Sequence, residues 1–575
     1  MKKELLSLIE TCELSPFNSS KTLVRTGSNS IFKTKDAKAV YTKVLGNISK
    51  EFVFADTANL LQNFSFTQDF QEIKKRQEFF SAITNGLENS FLENLKIPRP
   101  NWKPKYNVAV VTEDEKTFSE LQKLGCPVRF VLSETDIKSL EECDVVQVID
   151  CETYSMALEQ LPQAVFLNST DEAYLERYVI QLSGWKYNLE FLKVCDGEIK
   201  KIVEELEPIV ELTIEKNDDK INREIIEAKV EKMNSEISGK IRDMTISGDL
   251  LMTALTSGVL PEELQAVVKE TIKDSGIPAN ILIRKLPVEI DEEELEKILR
   301  NQDLNEFGNA ALKIKKKVNE LLRVPELLER MEKLLLLYDF EAGVSKWMGS
   351  EKVFPNNSED FVVENGRNLF LENPQPISFY LNASERCSIL TGANSGGKTT
   401  LLEHVLQYIS LYQIGLTVSG NIRMPLFSEV YYFAKSKGSM SKGAFETLLT
   451  QMSEIKPGRQ TLILADEIEA VTEPGVAGKM ITATADYFIQ RGCFLIVATH
   501  LGQEIQKSLP SGARIDGIEA KGLSAENELI VDHNPVLGRL AHSTPELIVE
   551  KMAKVQGGDY FNFIYRAMRN SENNF

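Results

Sequence analysis

From Gly392 to Thr399 the chain reads Gly-Ala-Asn-Ser-Gly-Gly-Lys-Thr, the full pattern G-x-x-x-x-G-K-[ST]. Its chemistry is phosphate binding. Glycines at both ends let successive backbone N–H groups converge on phosphate oxygens, Lys398 reaches the terminal phosphates, and the Thr399 hydroxyl can ligate Mg²⁺. The cradle is formed by Gly392, Ala393, Asn394, Ser395, Gly396 and Gly397, and Thr400 extends it. A nucleoside triphosphate is the ligand class such a loop serves.

Two further segments supply groups that hydrolysis of such a ligand needs. Thr461-Leu462-Ile463-Leu464-Ala465-Asp466-Glu467 is an apolar run ending in two acids. Asp466 can join the Mg²⁺ shell, and Glu467 can orient or deprotonate the attacking water. Phe494-Leu495-Ile496-Val497-Ala498-Thr499-His500 is a second apolar run, ending in a histidine. At the carboxyl edge of a sheet, where ligands of open α/β folds sit, His500 is a candidate sensor of the γ-phosphate.

Positioning these groups requires a strand, the loop and a helix in succession. Ser388-Ile389-Leu390-Thr391 reads as a buried strand, and Leu401, Val405 and Ile409 recur at helical spacing from Thr400 to Ile414. The loop amides then lie at a helix N-terminus, which favours anions. The remainder of 349–575 continues the strand–helix alternation around this loop. Residues 1–100 read as mainly helical and end in the linker Ile97-Pro98-Arg99-Pro100. Across 101–172, the runs Val108–Val111, Val128–Val131, Val145–Ile149 and Ala164–Leu167 alternate with acidic helical text. That pattern predicts a small α/β unit with a parallel sheet, and without a Gly-rich loop after its first strand it predicts no nucleotide site there. Residues 173–348 predict long helical arms over 196–243 and 291–346. The segment 244–290 is their tip, with one strand-like run at Ile281–Ile283. A compact helical bundle is the alternative. The expected fold class is therefore multidomain, α and α/β, with a P-loop ATPase domain last.

Composition narrows the function. A chain of 575 residues needs several cores, and its net charge of −19 argues against holding nucleic acid by overall charge. Local basic clusters stay available: Lys313, Lys315, Lys316 and Lys317, with Lys269, Lys273, Arg284 and Lys285 near the tip. No apolar run is long enough for a membrane helix, so no membrane partner is expected. Seven scattered cysteines without a C-x-x-C pair suggest a reducing, cytoplasmic setting and neither a zinc site nor a disulfide framework.

The wording around the three site segments resembles the MutS family of DNA mismatch-repair ATPases. The likeness runs through Thr391–Thr399, Asp466-Glu467-Ile468 with Thr472, and Ala498-Thr499-His500. Upstream it includes Val362-Val363-Glu364 and Phe370-Leu371-Glu372-Asn373-Pro374, and towards the end Asn534-Pro535-Val536-Leu537-Gly538-Arg539. The resemblance implies ATP and Mg²⁺ as ligands and Phe370 stacking on adenine, although Phe370 also reads as a core residue. It implies that the loop Ser439–Glu446, through Ser441, reaches the nucleotide of a second subunit, making a homodimer; a surface turn is the alternative for that loop. The family's mismatch-reading domain is expected before the helical core, and the chain has no room for it. Phe70-Gln71-Glu72 and Phe91-Leu92-Glu93 match its wedge tripeptide only by coincidence, in helical text. The small C-terminal nuclease domain of bacterial second-type paralogues is likewise not expected. The chain most resembles the archaeal second-type paralogues, which implies an ATPase that binds double-stranded DNA without mismatch specificity. A clamp acting on stalled or collided ribosomes is the competing expectation.

Overall fold

Five consecutive residues, Val108–Thr112, form a strand (β1) buried at every position. It is the second of four in the order β2-β1-β3-β4, with β2 Val128–Phe130, β3 Val145–Val148 and β4 Ala164–Phe166, all parallel. Parallel pairing demands crossovers, and the helices Glu115–Lys123, Glu134–Lys138 and Ser155–Leu158 lie between successive strands. Asp114 caps the first of them by accepting from the Thr117 N–H at 2.8 Å.

The computed structural model describes the chain except residues 19–29, 214–222, 243, 245–246, 249–251, 253–255, 257–260, 351–352, 393–396, 436–441, 469–473, 524–528, 542–544 and 573–575. It divides into two units, Lys96–Met331 on the one hand and Met1–Leu95 with Glu332–Phe575 on the other. The architecture is a multidomain mixture of helical and α/β parts.

The unit Lys96–Met331 carries the four-stranded sheet and the helices Glu176–Leu192, Gly197–Val210 and Arg223–Arg242. In the last of these Ile226, Val230, Met233 and Ile237 form one apolar stripe. The stripe packs against Val268 and Ile272 of helix Glu262–Asp274 and against Leu295, giving this region a small core of its own. The short strands β5 (Leu282–Ile283) and β6 (Glu289–Ile290) pair antiparallel beside it. Where one arm is expected over 291–346, helix Glu292–Lys316 stops at Lys317, whose φ of −109° and ψ of 20° leave the helical region. Helices Val318–Leu322 and Val324–Met348 follow. Lys313, Lys315 and Lys316 occupy the last turn of Glu292–Lys316, where cations offset the helix dipole. Lys269 and Lys273 lie on helix Glu262–Asp274, and Lys285 is paired with Glu289.

The other unit is built on a six-stranded sheet in the order β12-β13-β14-β10-β15-β16. Its strands are β10 Cys387–Gly392, β12 Glu429–Phe433, β13 Thr461–Asp466, β14 Phe494–Ala498, β15 Ala513–Leu523 and β16 Leu529–Val536; the first five are mutually parallel and β16 runs antiparallel to β15. β10, β13 and β14 are near-continuous apolar runs because a parallel sheet is covered on both faces. A second sheet, β7-β11-β8-β9, consists of β7 Asn356–Asn357, β8 Phe361–Gly366, β9 Ile377–Leu381 and β11 Asn421–Met424.

The N-terminal residues belong to this unit. Phe32 bridges Val430 in parallel, so the segment around Ile31–Lys33 borders β12. Helix Lys35–Ser49 packs on helix Lys398–Ile414. Asp339 secures the same assembly: its buried carboxylate accepts from the Val53 and Phe54 N–H groups, the Thr57 hydroxyl at 2.7 Å and the Asn89 amide at 2.7 Å. Among the described residues no helix is long and apolar enough to cross a membrane.

Candidate active site

The sheet order explains why residues distant in sequence converge. β10 lies between β14 and β15, and β13 is next to β14, all parallel. The loops after β10, β13 and β14 therefore leave by the same edge, the one at which open α/β sheets bind ligands.

Gly392 ends β10 at φ 136°, and a Cβ there would lie 2.4 Å from the Ile518 carbonyl oxygen, so both conformation and space require glycine. Gly397 stands at φ 91° immediately before helix Lys398–Ile414. Ala393, Asn394, Ser395 and Gly396 lie outside the described residues, as does Ser441. Lys398 is 2% exposed, and its Nζ donates to the Gly392 carbonyl at 2.6 Å.

Thr399 Oγ1 donates to Asp466 Oδ2 at 2.6 Å. Asp466 is 1% exposed, and its other oxygen, Oδ1, has no hydrogen-bond partner among the described residues. Burial pushes its pKa up, and the Thr399 hydrogen bond only partly offsets this. An orphaned, desolvated carboxylate oxygen beside a threonine hydroxyl is a site suited to a hard cation. Among the described residues no cluster of three or more His, Cys, Asp or Glu side chains provides another metal site.

Glu467 follows directly, with φ of 48° in the left-handed region, and its N–H donates to the Ala498 carbonyl at 2.9 Å. Backbone strain of this kind is held by its surroundings and is common where side chains must be aimed. The carboxylate meets His500 Nε2 at 2.6 Å through Oε1 and Lys435 Nζ through Oε2, with Lys398 Nζ at 3.9 Å. Burial raises the pKa of Glu467, but the Lys435 hydrogen bond and the His500 contacts outweigh it, so the carboxyl sits below its ordinary range.

Next to this cluster is a cavity of about 290 Å³. Gly397, Thr400 and Leu401 line one part of it, and Leu371, Pro374 and His533 another. Asn368, Gln375 and His404 add polar groups to the wall. The volume suits a base with its sugar, near the lower end for small-molecule sites. Phe370 is not among the lining residues; Lys43 Nζ is 4.0 Å from its ring centroid, and its N–H donates to Asn368 Oδ1 at 2.8 Å.

The structure thus gathers Gly392, Gly397, Lys398, Thr399, Asp466, Glu467 and His500 into one place, with Thr400 on the adjoining cavity. Three participants escape sequence reasoning. Lys435 lies two residues past β12, His533 is carried in by the antiparallel strand β16, and His404 sits inside a helix where a histidine carries no local signal.

No protein-family model matches the chain. It is 32% identical to the DNA-binding protein MutS2 of Pyrococcus furiosus over 572 residues, covering 91% of this chain and 97% of that protein. Similarity to the Endonuclease MutS2 of Acetivibrio thermocellus is 26% identity over 291 residues, 49% of this chain and 32% of that protein. The DNA mismatch repair protein MutS of Thermotoga sp. is 26% identical over 232 residues, 38% of this chain and 27% of that protein. The last two matches span only about a third or less of those longer proteins, whereas the first covers about nine tenths or more of both chains. On that first, high-coverage match, the chain belongs to the MutS family as a MutS2-type member.

Proposed function

We propose that the chain is a Mg²⁺-dependent ATP hydrolase that acts as a homodimer and grips double-stranded DNA without reading mismatches. One observation carries the hydrolase: the Thr399–Asp466 pair with its orphaned Oδ1 lies directly beside a carboxylate, Glu467, held between His500 and Lys435. Thr399 and Asp466 would hold Mg²⁺, which supplies charge neutralisation on the β- and γ-phosphates. Lys398 and the loop amides bind the phosphates. Glu467, ionised at neutral pH, takes the proton of the attacking water, and His500 orients that carboxylate and senses the γ-phosphate. The cavity beside Gly397 and Thr400 receives the base, with Leu371 and His533 against its faces.

The DNA-binding part is supported by the high-coverage relative, which is named a DNA-binding protein. An acidic chain must do this through local basic surface, and Lys269 with Lys273 on helix Glu262–Asp274 supplies one such stretch. The dimer rests on the signature-like segment 439–446 with Ser441, which would complete the partner's nucleotide site.

Gel-shift titrations of linear, mismatched and branched duplexes at several salt concentrations test the reading. Equal affinity for matched and mismatched duplexes, with a steep salt slope from phosphate contacts, is expected. A clear preference for mismatches, or co-sedimentation with ribosomes in place of DNA binding, would overturn it.

A further inference from the structure

Helix Lys35–Ser49 buries one face and leaves the other bare. Ala37, Val40, Tyr41, Val44, Leu45 and Ile48 are its buried residues, and the helix packs on Lys398–Ile414 and on β12. The opposite face carries the exposed Lys35, Lys38 and Lys43 and runs on to the exposed Lys50 at the C-cap. At 100° and 1.5 Å per residue these four positions fall within an arc of about 140° over a length of about 22 Å. Between them the surface is floored by the exposed small residues Ala39, Thr42 and Gly46, and a Cβ added at Gly46 would meet nothing within 4 Å. Thr42 and Ser49 turn their hydroxyls back to the Lys38 and Leu45 carbonyls, at 3.0 and 2.8 Å. The donors this face presents outward are therefore ammonium groups.

These charges are uncompensated in a chain whose net charge is −19. Asp36 is the only acid between Lys35 and Lys50, and its carboxylate accepts from the Ala434 N–H at 3.2 Å. Other lysines of the same unit are paired: Lys2 with Glu341, Lys33 with Glu429, Lys333 with Glu10 and Lys346 with Glu51, at 2.7 to 3.5 Å. Among the described residues no carboxylate lies within ion-pair distance of Lys35, Lys38, Lys43 or Lys50. The arrangement also works against the helix. Lys35 and Lys38 stand in its first turn, where the macrodipole favours anions, and three residues apart, where like charges repel. Charges kept where they weaken their own helix point to a use outside the fold.

The side chains also define the partner. Lysine ammoniums act as compact point charges suited to phosphate. The segment from Lys35 to Lys50 has no Arg or Gln to grip a base edge, and its one Asn, Asn47, accepts from Trp347 Nε1 at 2.9 Å. Contacts made here would position nucleic acid without reading it. Duplex DNA carries one negative charge per about 1.7 Å, so a face of about 22 Å meets phosphate in any register.

We propose that this face is a sequence-independent docking surface for the phosphate backbone of duplex DNA, contacted by Lys35, Lys38 and Lys50, with Lys43 at its margin over the Phe370 ring. The inference rests on the DNA-binding reading proposed above and adds a contact in the unit that carries the phosphate loop.

The test is binding of two linear duplexes of unrelated sequence across a range of salt concentrations. The unaltered chain is compared with the triple variant Lys35→Gln, Lys38→Gln, Lys50→Gln; Lys43 stays because it covers Phe370. Each phosphate contact contributes about 0.9 to the slope of log K against log salt, so the variant slope is expected to be shallower by about 2–3 on both duplexes. Arginine at the same three positions keeps the charge and is expected to keep the slope. Glutamine at the exposed Lys116, Lys123 and Lys138 of the small α/β unit removes the same net charge and is expected to leave the slope unchanged. An unchanged slope in the first variant would overturn the proposal. So would an equal fall in the Lys116, Lys123 and Lys138 control, which would assign the effect to overall charge, or a slope in the arginine variant as shallow as in the glutamine one. A loss confined to one duplex would overturn the sequence independence. If the unaltered chain binds neither duplex, the DNA reading itself fails and the docking surface with it.

Discussion

Replacing Glu467 with glutamine removes one proton acceptor and little else. The substitution conserves shape, and the amide side chain would still offer an oxygen to His500 or to Lys435, which now meet Oε1 and Oε2 respectively. It cannot satisfy both, because its amide group donates where the second carboxylate oxygen accepts. A charge-assisted hydrogen bond worth about 1.5–3 kcal/mol is thus lost on one side. The base itself is lost on the other, and general-base catalysis contributes about 10²–10⁴ in rate, or about 2.7–5.4 kcal/mol of barrier. Phosphate binding has a different source. Lys398 is buried and hydrogen-bonded to Gly392, and Thr399 pairs with Asp466, so neither contact needs Glu467. Removing a negative charge 3.9 Å from Lys398 also leaves that cation more available to phosphate. The expected outcome of Glu467→Gln is a fall of about 10²–10⁴ in kcat with ATP affinity equal or tighter. Steady-state phosphate release over an ATP titration gives the first quantity, and filter binding of labelled ATP gives the second. A kcat within about threefold of the unaltered protein would refute the assignment of Glu467 as base.

Asp466→Asn leaves the Thr399 hydrogen bond possible but removes the charge, so the Mg²⁺ concentration for half-maximal ATPase activity is expected to rise about tenfold or more, read from a Mg²⁺ titration. Lys435→Met removes the largest influence holding the Glu467 carboxyl down. Because the rate needs the carboxylate, the acid limb of the kcat profile is expected to move to higher pH in Lys435→Met and to stay in Lys435→Arg. His404 is neutral in the fold down to about pH 4, whereas an unfolded imidazole takes up a proton near 6.5. Its contribution is present above pH 6.5 and is lost as pH falls towards 4, by up to about 3 kcal/mol, and chemical denaturation at about pH 7.5 and about pH 5 should show a smaller loss in His404→Leu. Gly366→Ala would put a Cβ 2.0 Å from the buried Tyr408 hydroxyl, and overpacking of that kind is expected to cost about 1–3 kcal/mol, seen as a lower thermal midpoint.

How much of this was legible in the sequence depends on the range of the interactions. The strand–loop–helix around Lys398 declares itself locally, because apolar runs, glycines and helical spacing are properties of neighbouring residues. Asp466, Glu467 and His500 each terminate an apolar run, and parallel strands in one sheet carry such ends to a common edge whatever the strand order. The rest depends on contacts between residues far apart in the chain. Lys435 follows β12 with no motif of its own, and its role appears only because β12 borders β13. His533 reaches the cavity because β16 folds back antiparallel on β15. In the same way, Phe370 is covered by Lys43 while the cavity is lined by its neighbour Leu371, a one-residue distinction that no periodicity encodes. The arm expected over 291–346 is interrupted at Lys317 by a backbone geometry with no glycine or proline at that position to announce it.

The N-terminal segment shows why an apparently separate helical region belongs to the chemistry. Val430 of β12 exchanges hydrogen bonds with Ile31 and Lys33 at 2.9 Å each, so the outer edge of the sheet is paired rather than open. Thr34 accepts from the Tyr432 N–H at 3.0 Å and also from the Ala37 N–H at 3.4 Å, capping helix Lys35–Ser49. Asp36 accepts from the Ala434 N–H at 3.2 Å, the peptide immediately before Lys435. The same short segment therefore fixes the end of β12, starts a helix that packs on Lys398–Ile414, and sets the backbone from which Lys435 reaches Glu467. Arg76 acts at the C-terminal end of that central helix, donating to the Gln413 carbonyl at 2.8 Å and the Ser65 carbonyl at 2.7 Å. The helix and the end of β12 are thus both held by residues between Ser30 and Arg76, and the position of Lys435 beside Glu467 depends on them. In this fold the paired sheet edge ties the N-terminal segment to the backbone that carries Lys435 beside Glu467.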